Sequence, residues 1–218
     1  MTITGELVIV RHGEAACNVA GRVGGDLGCT GLTEAGREQA RRVGRRLAAE
    51  HARRPFDVFQ AAPRLRVRQT ADEIAAWIGL TPTVRTDLRG PDHGECDGQP
   101  WHEVHEALGG NPRRFPERAY APGSESWNQY LRRACAGIGR LLEHHAGQRV
   151  LLVGHKETVE AAHALLLGLR RGSSRRLGFI VGHACLARWV HRVDGYGHAV
   201  WELDSHNDGR HLAEPAAG

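Results

Sequence analysis

Two short apolar runs constrain the fold of this 218-residue chain most, because each ends on a histidine. They are LVIVRH at 7–12 and RVLLVGH at 149–155. The second run lacks alternating polar residues, which predicts a strand buried on both faces, as in the middle of a largely parallel sheet. Ligands bind such sheets beyond the carboxyl ends of the strands. We therefore expect the two histidines to share a binding edge.

Strand-like and helix-like segments alternate along the rest of the chain. A helix begins after Thr33, its predicted N-cap, and is followed by a strand at 56–62 and a helix to about residue 78. The remaining segments are a short strand at 81–86, a helix from about Ser124, a helix at 157–169, and an antiparallel pair at 185–193 and 198–203 around a DGYG turn. This order predicts an α/β fold: a three-layer sandwich with a mostly parallel central sheet flanked by helices.

A single domain is expected over residues 1–212, with a binding region built into it. Residues 89–127 are rich in Gly, Pro, charged and aromatic residues and show little periodicity beyond a short helix near 101–108. Such a long irregular segment inside a compact domain is typical of a lid or substrate-specificity region. The last residues, 213–218, are expected to form a disordered tail.

The composition argues against several classes of protein. The sequence has no apolar span long enough to cross a membrane and no signal-peptide pattern, so we expect a soluble cytoplasmic protein without a membrane partner. Five scattered cysteines without a CxxC pair, and an HEVHE segment that is not HExxH, argue against a disulfide framework and a metal site. The net charge of +4 is mild and the arginine clusters carry no interleaved aromatic residues, so no nucleic-acid partner is expected. We expect neither a metal nor a cofactor, and a homodimer is left open.

The residues at the two strand ends suit a phosphate ion. Arg11 offers a planar fork of N–H donors, and His12 supplies a nucleophile if its other ring nitrogen is held by a backbone carbonyl. Gly13 is expected to let the backbone approach the anion closely. His155 can donate a hydrogen bond to a phosphoryl oxygen. A phosphate between them would explain why a cation and an imidazole stand side by side.

Two further positions complete this hypothesis. Arg66 opens the helix after the second strand, where the helix dipole also favours an anion. Asn18 and the glycine-rich loop at 21–33 are expected to close over the site. Two histidines and two arginines can neutralise transition-state charge without a metal.

Four segments of the chain, in order, resemble the histidine phosphatase superfamily in its phosphoglycerate-mutase-like branch. They are VRHGEAACN, PRLRVRQTAD, LLVGH and the late NDGRHL. The resemblance covers about residues 7–212, includes the RHG motif, and implies a phosphohistidine at His12. It further implies a phosphate pocket of Arg11, Arg66 and His155, supported by Asn18.

The chain departs from the family pattern where the family has a proton-donating glutamate. In LRGPDHGECDG that place is taken by Gly90, which has no proton to donate. Loss of the acid would slow the hydrolysis of ordinary phosphomonoesters by roughly 10²–10⁴-fold. Three accounts stay open: the substrate has a good leaving group, the protein only binds phosphorylated ligands, or a neighbour replaces the acid. The neighbours are Asp92 first, and then Glu95, His93 and Glu14.

Two other departures concern basic residues. Lys156, the only lysine, follows His155 where the family has a small residue, and it either meets a second anionic group of the substrate or reaches solvent. Arg64 and Leu65 stand where the family more often has a leucine and then a base, which we interpret as repacking.

Substrate choice is expected to depend on the binding region at 89–127. Its aromatic and cationic residues either contact an anionic or ring-bearing molecule or serve as core and surface residues: Trp101, His102, Arg113, Arg114, Arg118 and Trp127. We expect Trp101 and Arg113 in particular to bind substrate, together with Glu14 at the other side of the site.

These features predict a metal-independent phosphatase that acts on a small phosphorylated metabolite through a phosphohistidine. A phosphomutase uses the same intermediate, but known mutases of this group are longer in the capping region and keep the glutamate. A weakly active protein that binds phosphorylated ligands is the alternative from another class.

Overall fold

The computed structural model describes residues 2–170 and 172–213. It confirms the predicted α/β class: a six-stranded sheet carries helices on both faces. The strands are β1 (Thr2–Arg11), β2 (Val58–Ala61), β3 (Thr83–Val84), β4 (Arg149–Gly154), β5 (Leu186–Val193) and β6 (Ala199–Asp208). The α-helices are α1 (Ala16–Val19), α2 (Glu34–Arg53), α3 (Leu65–Ile78), α4 (Trp101–Leu108), α5 (Trp127–His144) and α6 (Lys156–Leu166).

The strand order is β3-β2-β4-β1-β5-β6, and the neighbours from β3 to β1 pair in parallel. Strand β5 runs antiparallel to both of its neighbours, β1 and β6. The closing antiparallel pair was therefore predicted correctly, although β6 continues to Asp208 rather than ending near residue 203. Strand β1 also begins earlier than the apolar run, because Thr2 and Ile3 pair with the end of β5.

The two central strands are buried on both faces, as predicted for the second apolar run. In β1, Leu7 and Ile9 pack into one core against α5 and α6, while Val8 and Val10 pack into the other against α2 and α3. Strand β4 divides its side chains between the same two cores. Neither face meets water between residues 5 and 10 of β1 or along β4, so a continuous apolar run is favoured over an alternating one.

Helix boundaries follow their caps. Thr33 accepts a hydrogen bond from the backbone N–H of Gly36, so α2 begins where expected. Helix α5 begins at Trp127 rather than near Ser124, because Ser126 is the N-cap and forms a capping box with Gln129. The short helix predicted near 101–108 is α4. Of the predicted tail at 213–218, all but Ala213 lies outside the described residues.

The sheet places the histidines together. His12 follows β1 and His155 follows β4, and these strands are paired with Arg11 opposite Gly154. The backbone N–H of His12 donates to the carbonyl of Gly154 across 2.9 Å. Helix α3, which carries Arg66 in its first turn, follows β2 on the other side of β4. Three elements thus deliver basic side chains to one edge of the sheet.

Candidate active site

His12 is buried and its ring is fixed at both nitrogens. Its Nδ1 lies 2.7 Å from the carbonyl oxygen of Gly13, which can only accept, so Nδ1 carries the proton. Its Nε2 accepts a hydrogen bond from Nε of Arg66 at 3.0 Å. Burial, and then the charges of Arg66 and Arg11, hold the pKa of His12 well below 6.5 against the opposing effect of the Gly13 carbonyl. Nε2 is therefore unprotonated at neutral pH, and its lone pair holds the N–H of Arg66 until a substrate takes that place.

His155 is the complementary donor. Its Nδ1 lies 3.2 Å from Nη2 of Arg66, and a guanidinium can only donate, so the proton of His155 is on Nε2. That nitrogen is buried and has no hydrogen-bond partner within the described structure. Burial, then the charges of Arg66 and Arg64, hold the pKa of His155 well below its usual value. A buried N–H without a partner is costly, and a bound acceptor would relieve that cost.

Arg66 holds the two histidines in register. Its Nε donates to His12, its Nη1 donates to the carbonyl of Gly24 at 2.8 Å, and its Nη2 reaches His155. The planar guanidinium sets these three directions at once. The structure thus brings His12, Arg66 and His155 together, as the sequence predicted.

Arg11 completes the pocket from the end of β1. Its Nη1 donates to the carbonyl of Val181 at 2.5 Å, and its Nη2 lies 2.7 Å from Nε2 of His183. Its Nε is buried and has no partner among the described residues. Burial, opposed by the charge of Glu157 and reinforced by Arg66, leaves the pKa of Arg11 below its usual value. Two neighbouring guanidiniums and two unpartnered N–H groups point to an anion as the ligand of this pocket.

Three predicted positions support the pocket instead of lining it. A Cβ at Gly13 would lie 2.3 Å from the carbonyl oxygen of Gly36, so this glycine is required by the close approach of α2. The expectation that Gly13 also lets the backbone approach an anion closely stays a prediction. Glu14 accepts from Oγ1 of Thr33 at 2.8 Å, at the N-terminus of α2. The exposed Asn18 accepts from the backbone of Ala15, and its Oδ1 lies 3.1 Å from Nε2 of His183.

Sequence reasoning missed His183. Its ring centroid lies 5.8 Å from that of His12, and its Nε2 faces both Arg11 and Asn18. Burial, then the charge of Arg11, lowers its pKa to about 4. The triplet Val-Gly-His occurs at 153–155 and again at 181–183, and that repeat was a signal that could have found it. The second copy precedes a strand. We looked for histidines that follow strands, and His183 therefore was not among the predicted site residues.

Arg64 is also part of the pocket wall. It is the N-cap of α3 and is 6% exposed. Its Nη2 donates to the carbonyl of Pro91 at 2.5 Å, its Nε donates to Asp26 at 3.3 Å, and its Nη1 lies 3.5 Å from Nε2 of His93. The interpretation of this position as repacking was therefore wrong: the guanidinium faces the site.

Gly90 lies beside that guanidinium. A Cβ built there would lie 2.6 Å from Nη1 of Arg64 and 3.1 Å from Nε2 of His155. Position 90, where the resemblance places the family's glutamate, therefore lies beside His155. The space that a side chain would use is filled by Arg64.

Among the described residues, none of the proposed replacement acids forms a hydrogen bond or ion pair with His12, Arg66 or His155, although His93 lies beside Arg64. The half-exposed carboxylate of Asp92 lies 3.9 Å from Nη2 of Arg89 and accepts from the backbone of Gly94 at 3.3 Å. The structure gives it no hydrogen bond or ion pair with Arg11, His12, Arg66 or His155, which are all described residues. Glu95 is exposed. His93 is buried against Tyr120, and burial, then the charge of Arg64, lowers its pKa to about 4.

A cavity of about 890 Å³ adjoins this pocket. Most of its lining comes from the binding region at 89–127, including Trp101, Arg113, Arg114 and Trp127. His102 and Arg118 are exposed outside it. Lys156 and Glu157 line it from the first turn of α6.

Two of the predicted substrate contacts have structural partners already. Arg113 forms a two-pronged ion pair with the buried Glu160, and its guanidinium lies 4.5 Å from the ring of Trp127. The indole N–H of Trp127 and the hydroxyl of Tyr130 are buried beside the cavity without a partner in the described structure. A ligand with polar groups would satisfy both.

Across the described ranges, 2–170 and 172–213, no cluster of three or more His, Cys, Asp or Glu side chains is arranged to hold a metal ion. All five cysteines are free. No helix within these ranges is long and apolar enough to span a membrane.

Comparison with known proteins agrees with this geometry. Residues 7–208 match the model of the histidine phosphatase superfamily (branch 1). The chain is 30% identical over 167 residues to phosphoserine phosphatase 1 of Hydrogenobacter thermophilus, covering 75% of this chain and 77% of that one. It is 29% identical over 214 residues to a probable phosphoglycerate mutase, GpmB, of Yersinia pestis, covering 97% and 96% of the two chains.

Among solved structures, a mycobacterial glucosyl-3-phosphoglycerate phosphatase in complex with VO3 superposes with a TM-score of 0.76. It is 26% identical, over 93% of this chain and 98% of that one. The family match spans both strand ends and α3, where the pocket residues lie. The chain therefore belongs to the histidine phosphatase superfamily, in its phosphoglycerate-mutase-like branch, and is an enzyme of the histidine phosphatase type.

Proposed function

We propose that this enzyme hydrolyses a small organic phosphate through a phosphohistidine at His12, without a metal. One observation carries the proposal. Nε2 of His12 is buried and unprotonated, since Gly13 fixes the ring proton on Nδ1 and Arg66 donates to Nε2, and the unpartnered Nε2–H of His155 faces the same pocket. A nucleophile and an oxyanion donor are thus oriented before any substrate arrives.

The first step forms a bond between Nε2 of His12 and phosphorus while the bond from phosphorus to the leaving oxygen breaks. The leaving oxygen keeps the bonding pair. The proton on Nδ1 stays hydrogen-bonded to Gly13, so the phosphorylated ring becomes a cation that the carbonyl stabilises. Arg11, Arg66 and His155 donate to the three equatorial oxygens, where the charge is spread in the transition state.

In the second step water attacks phosphorus, and the pair in the N–P bond returns to Nε2. One proton of the water stays on the released phosphate, and the other neutralises the departed oxyanion. The net reaction converts the organic phosphate and water into inorganic phosphate and the dephosphorylated product. His12 returns to the state seen in the structure.

The cavity supports an organic substrate larger than phosphate itself. It has room for a small polar molecule of metabolite size, and it combines aromatic and cationic side chains. Two relatives act, by their names, on phosphoserine and on glucosyl-3-phosphoglycerate, which both carry a carboxylate beside the phosphate. We propose that Lys156 meets a second anionic group of the substrate.

The experiment that tests this function uses para-nitrophenyl phosphate with the wild-type enzyme, with and without EDTA. We expect turnover that survives chelation and is lost in His12→Ala but kept in His102→Ala, a change at an exposed histidine. Rapid denaturation in alkali should retain one phosphoryl group on the wild-type chain. Absence of turnover would favour the phospho-ligand-binding alternative, and loss on chelation would overturn the metal-free mechanism.

A phosphomutase is the second candidate, because the GpmB relative covers nearly the whole chain. A mutase must return the phosphoryl group to the bound product. Release of inorganic phosphate in equal amount to the substrate consumed supports the phosphatase, whereas an isomeric phosphate product would support the mutase.

A further inference from the structure

The wall of the phosphate pocket around Gly90 is built from a guanidinium. Arg64 is buried, and Nη1 of its guanidinium lies against the space where a side chain at position 90 would begin. Its Nη2 is tied to Pro91. The donor Nε2 of His155 borders the same space. An oxygen placed there would meet a cation and an N–H donor.

Proton donors are scarce on this wall. His93 is neutral, because burial and the charge of Arg64 lower its pKa to about 4. Asp92 is turned toward Arg89 and the backbone of Gly94.

Burial opposes ionisation of Glu157, but its own backbone N–H and the charges of Arg113, Arg11 and Arg66 keep its pKa below the usual range. Glu157 is therefore ionised and is a poor acid.

Two carboxylates act on the charge of Arg64: Asp26 through an ion pair, and Glu157 from a greater distance. Asp26, whose side chain is 84% exposed, lies 3.3 Å from Nε of Arg64. Such an exposed partner screens a buried cation weakly, since most of its own charge is solvated. Arg64 therefore retains attraction for an anion that enters the pocket.

We propose that Arg64 binds the leaving oxygen as an anion, and that the substrate class of this enzyme is the phosphoanhydride. The inference rests on the proposed phosphohistidine mechanism. As the N–P bond to His12 forms, the bridging oxygen takes the bonding pair and departs as part of a phosphate or phosphate ester, which needs no proton to leave. Its charge is stabilised by Arg64, while His155 donates to the phosphoryl group that is transferred. Water then releases the phosphoryl group from His12.

A phosphoanhydride also fits the number of donors. Its second phosphoryl group offers further oxygens to the Nη atoms of Arg64, and Lys156 lines the adjoining cavity that Pro91 and His93 also border. An alkyl ester offers Arg64 a poor partner, because an alkoxide is too basic to leave unprotonated. The guanidinium of Arg64 beside position 90 thus favours a phosphate leaving group over an alkoxide.

The test compares kcat/KM for inorganic pyrophosphate with that for β-glycerophosphate. We expect the wild-type enzyme to prefer pyrophosphate, and Arg64→Leu to reduce that preference at least ~10²-fold, since a charge-assisted contact to a developing oxyanion is lost. Arg64→Lys should restore part of it. Arg68→Leu, one turn along α3 at an exposed position, is the matched control and should leave the ratio unchanged.

A double variant removes the guanidinium from this wall and restores a carboxyl group at position 90. Arg64→Leu with Gly90→Glu opens the space and places a carboxyl group beside His155, so hydrolysis of β-glycerophosphate should rise above that of Arg64→Leu alone. An unchanged unfolding midpoint and retained inhibition by vanadate would show that Arg64→Leu is folded. Arg64→Lys, which keeps the charge, provides the comparison if the leucine variant is unstable.

Two results would overturn the proposal. One is a wild-type enzyme that hydrolyses both probes equally or keeps its preference in a folded Arg64→Leu. The other is loss of β-glycerophosphate turnover in Glu157→Gln, which would identify a carboxylic acid in the pocket. Failure of the phosphohistidine mechanism itself would give another result. The enzyme would then show no His12-dependent turnover of pyrophosphate, β-glycerophosphate or para-nitrophenyl phosphate.

Discussion

Nε of Arg66 donates to Nε2 of His12 across 3.0 Å, while Nη2 of the same guanidinium lies 3.2 Å from Nδ1 of His155. One planar group thereby fixes the proton positions of both histidines. In the mechanism that we propose, the tautomers required for attack and for oxyanion binding are thus set before substrate binds, which lowers reorganisation during catalysis.

Replacement of Arg66 by lysine tests this relationship. An ammonium can satisfy one of its present partners but cannot span His12, Gly24 and His155 together. We expect Arg66→Lys to lower kcat/KM for para-nitrophenyl phosphate by roughly 10²–10³-fold, with the fold kept. Arg68→Lys on the exposed side of α3 serves as the control. Activity of Arg66→Lys within a few fold of wild type would show that charge alone suffices.

Lys156 offers a test of substrate binding. If its ammonium meets a second anionic group of the substrate, Lys156→Ala should raise KM about tenfold with kcat nearly unchanged, as expected for loss of one charged hydrogen bond. Arg140→Ala, an exposed change on α5, should alter neither constant. An unchanged KM for the true substrate would remove Lys156 from the site.

The same residue can be probed chemically, because it is the only lysine in the sequence. Acetic anhydride should acetylate Lys156 and the N-terminal amine. A bound substrate or product should slow acetylation of Lys156 selectively, measured by peptide mass spectrometry. Equal rates with and without ligand would contradict the contact.

Buried histidines predict how stability depends on pH. Burial, then the neighbouring His206, lowers the pKa of His163 to about 4, and burial, then Arg64, does the same for His93. Unfolded histidine titrates near ~6.5. Between these values the unfolded state binds more protons than the folded state, so stability is fully present above ~6.5 and falls as the pH drops toward 4. Each such histidine contributes at most ~1.4 kcal/mol per pH unit.

Urea unfolding at a series of pH values measures this slope. His163 is fully buried between the indole N–H of Trp189 and His206, so His163→Gln should reduce the loss of stability in the acid range. His102→Gln at an exposed position should leave the slope unchanged. A variant at His163 with the wild-type slope would show that other groups carry the effect.

A buried ion cluster at the opposite end of the sheet predicts a large loss of stability. Glu6 is 2% exposed and pairs with Arg149, Arg188 and Arg54. Glu6→Gln leaves these cations without their central anion, although Glu50 still pairs with two of them. We expect the free energy of unfolding to fall by ~3 kcal/mol.

The control for that change lies on the same sheet. Glu202 on β6 forms an exposed pair with Arg192 at 2.8 Å. Glu202→Gln should change the free energy of unfolding by less than ~1 kcal/mol, since water screens exposed pairs. Equal losses in the two variants would indicate that Glu6 acts as a surface charge.

The sequence was most informative where structure is local. The apolar runs predicted β1 and β4, their carboxyl ends predicted the position of His12 and His155, and Thr33 predicted the start of α2. The irregular stretch at 89–127 was expected to form a binding region, and most of the cavity lining comes from it. These patterns can be read without a fold because periodicity and capping depend on neighbours within a few residues.

Tertiary structure decided what each site residue touches. Residues 183 and 12 are far apart in sequence, and only the insertion of β5 beside β1 brings their rings together. Residue 13 has no space for a side chain, because a Cβ there would lie 2.3 Å from the carbonyl oxygen of Gly36 in α2. Asp92, near Gly90 in sequence, turns away from the pocket, while Arg64 from another element enters it.

The amino-acid sequence by itself therefore determined the fold class, the two central strands and the meeting of two histidines and two arginines at one edge of the sheet. Only the tertiary structure decided that a guanidinium occupies the wall beside Gly90. The physical reason is the length of the arginine side chain. Its guanidinium can lie in a site even where the neighbouring residues in sequence lie outside that site, and only the packing of distant segments fixes its position.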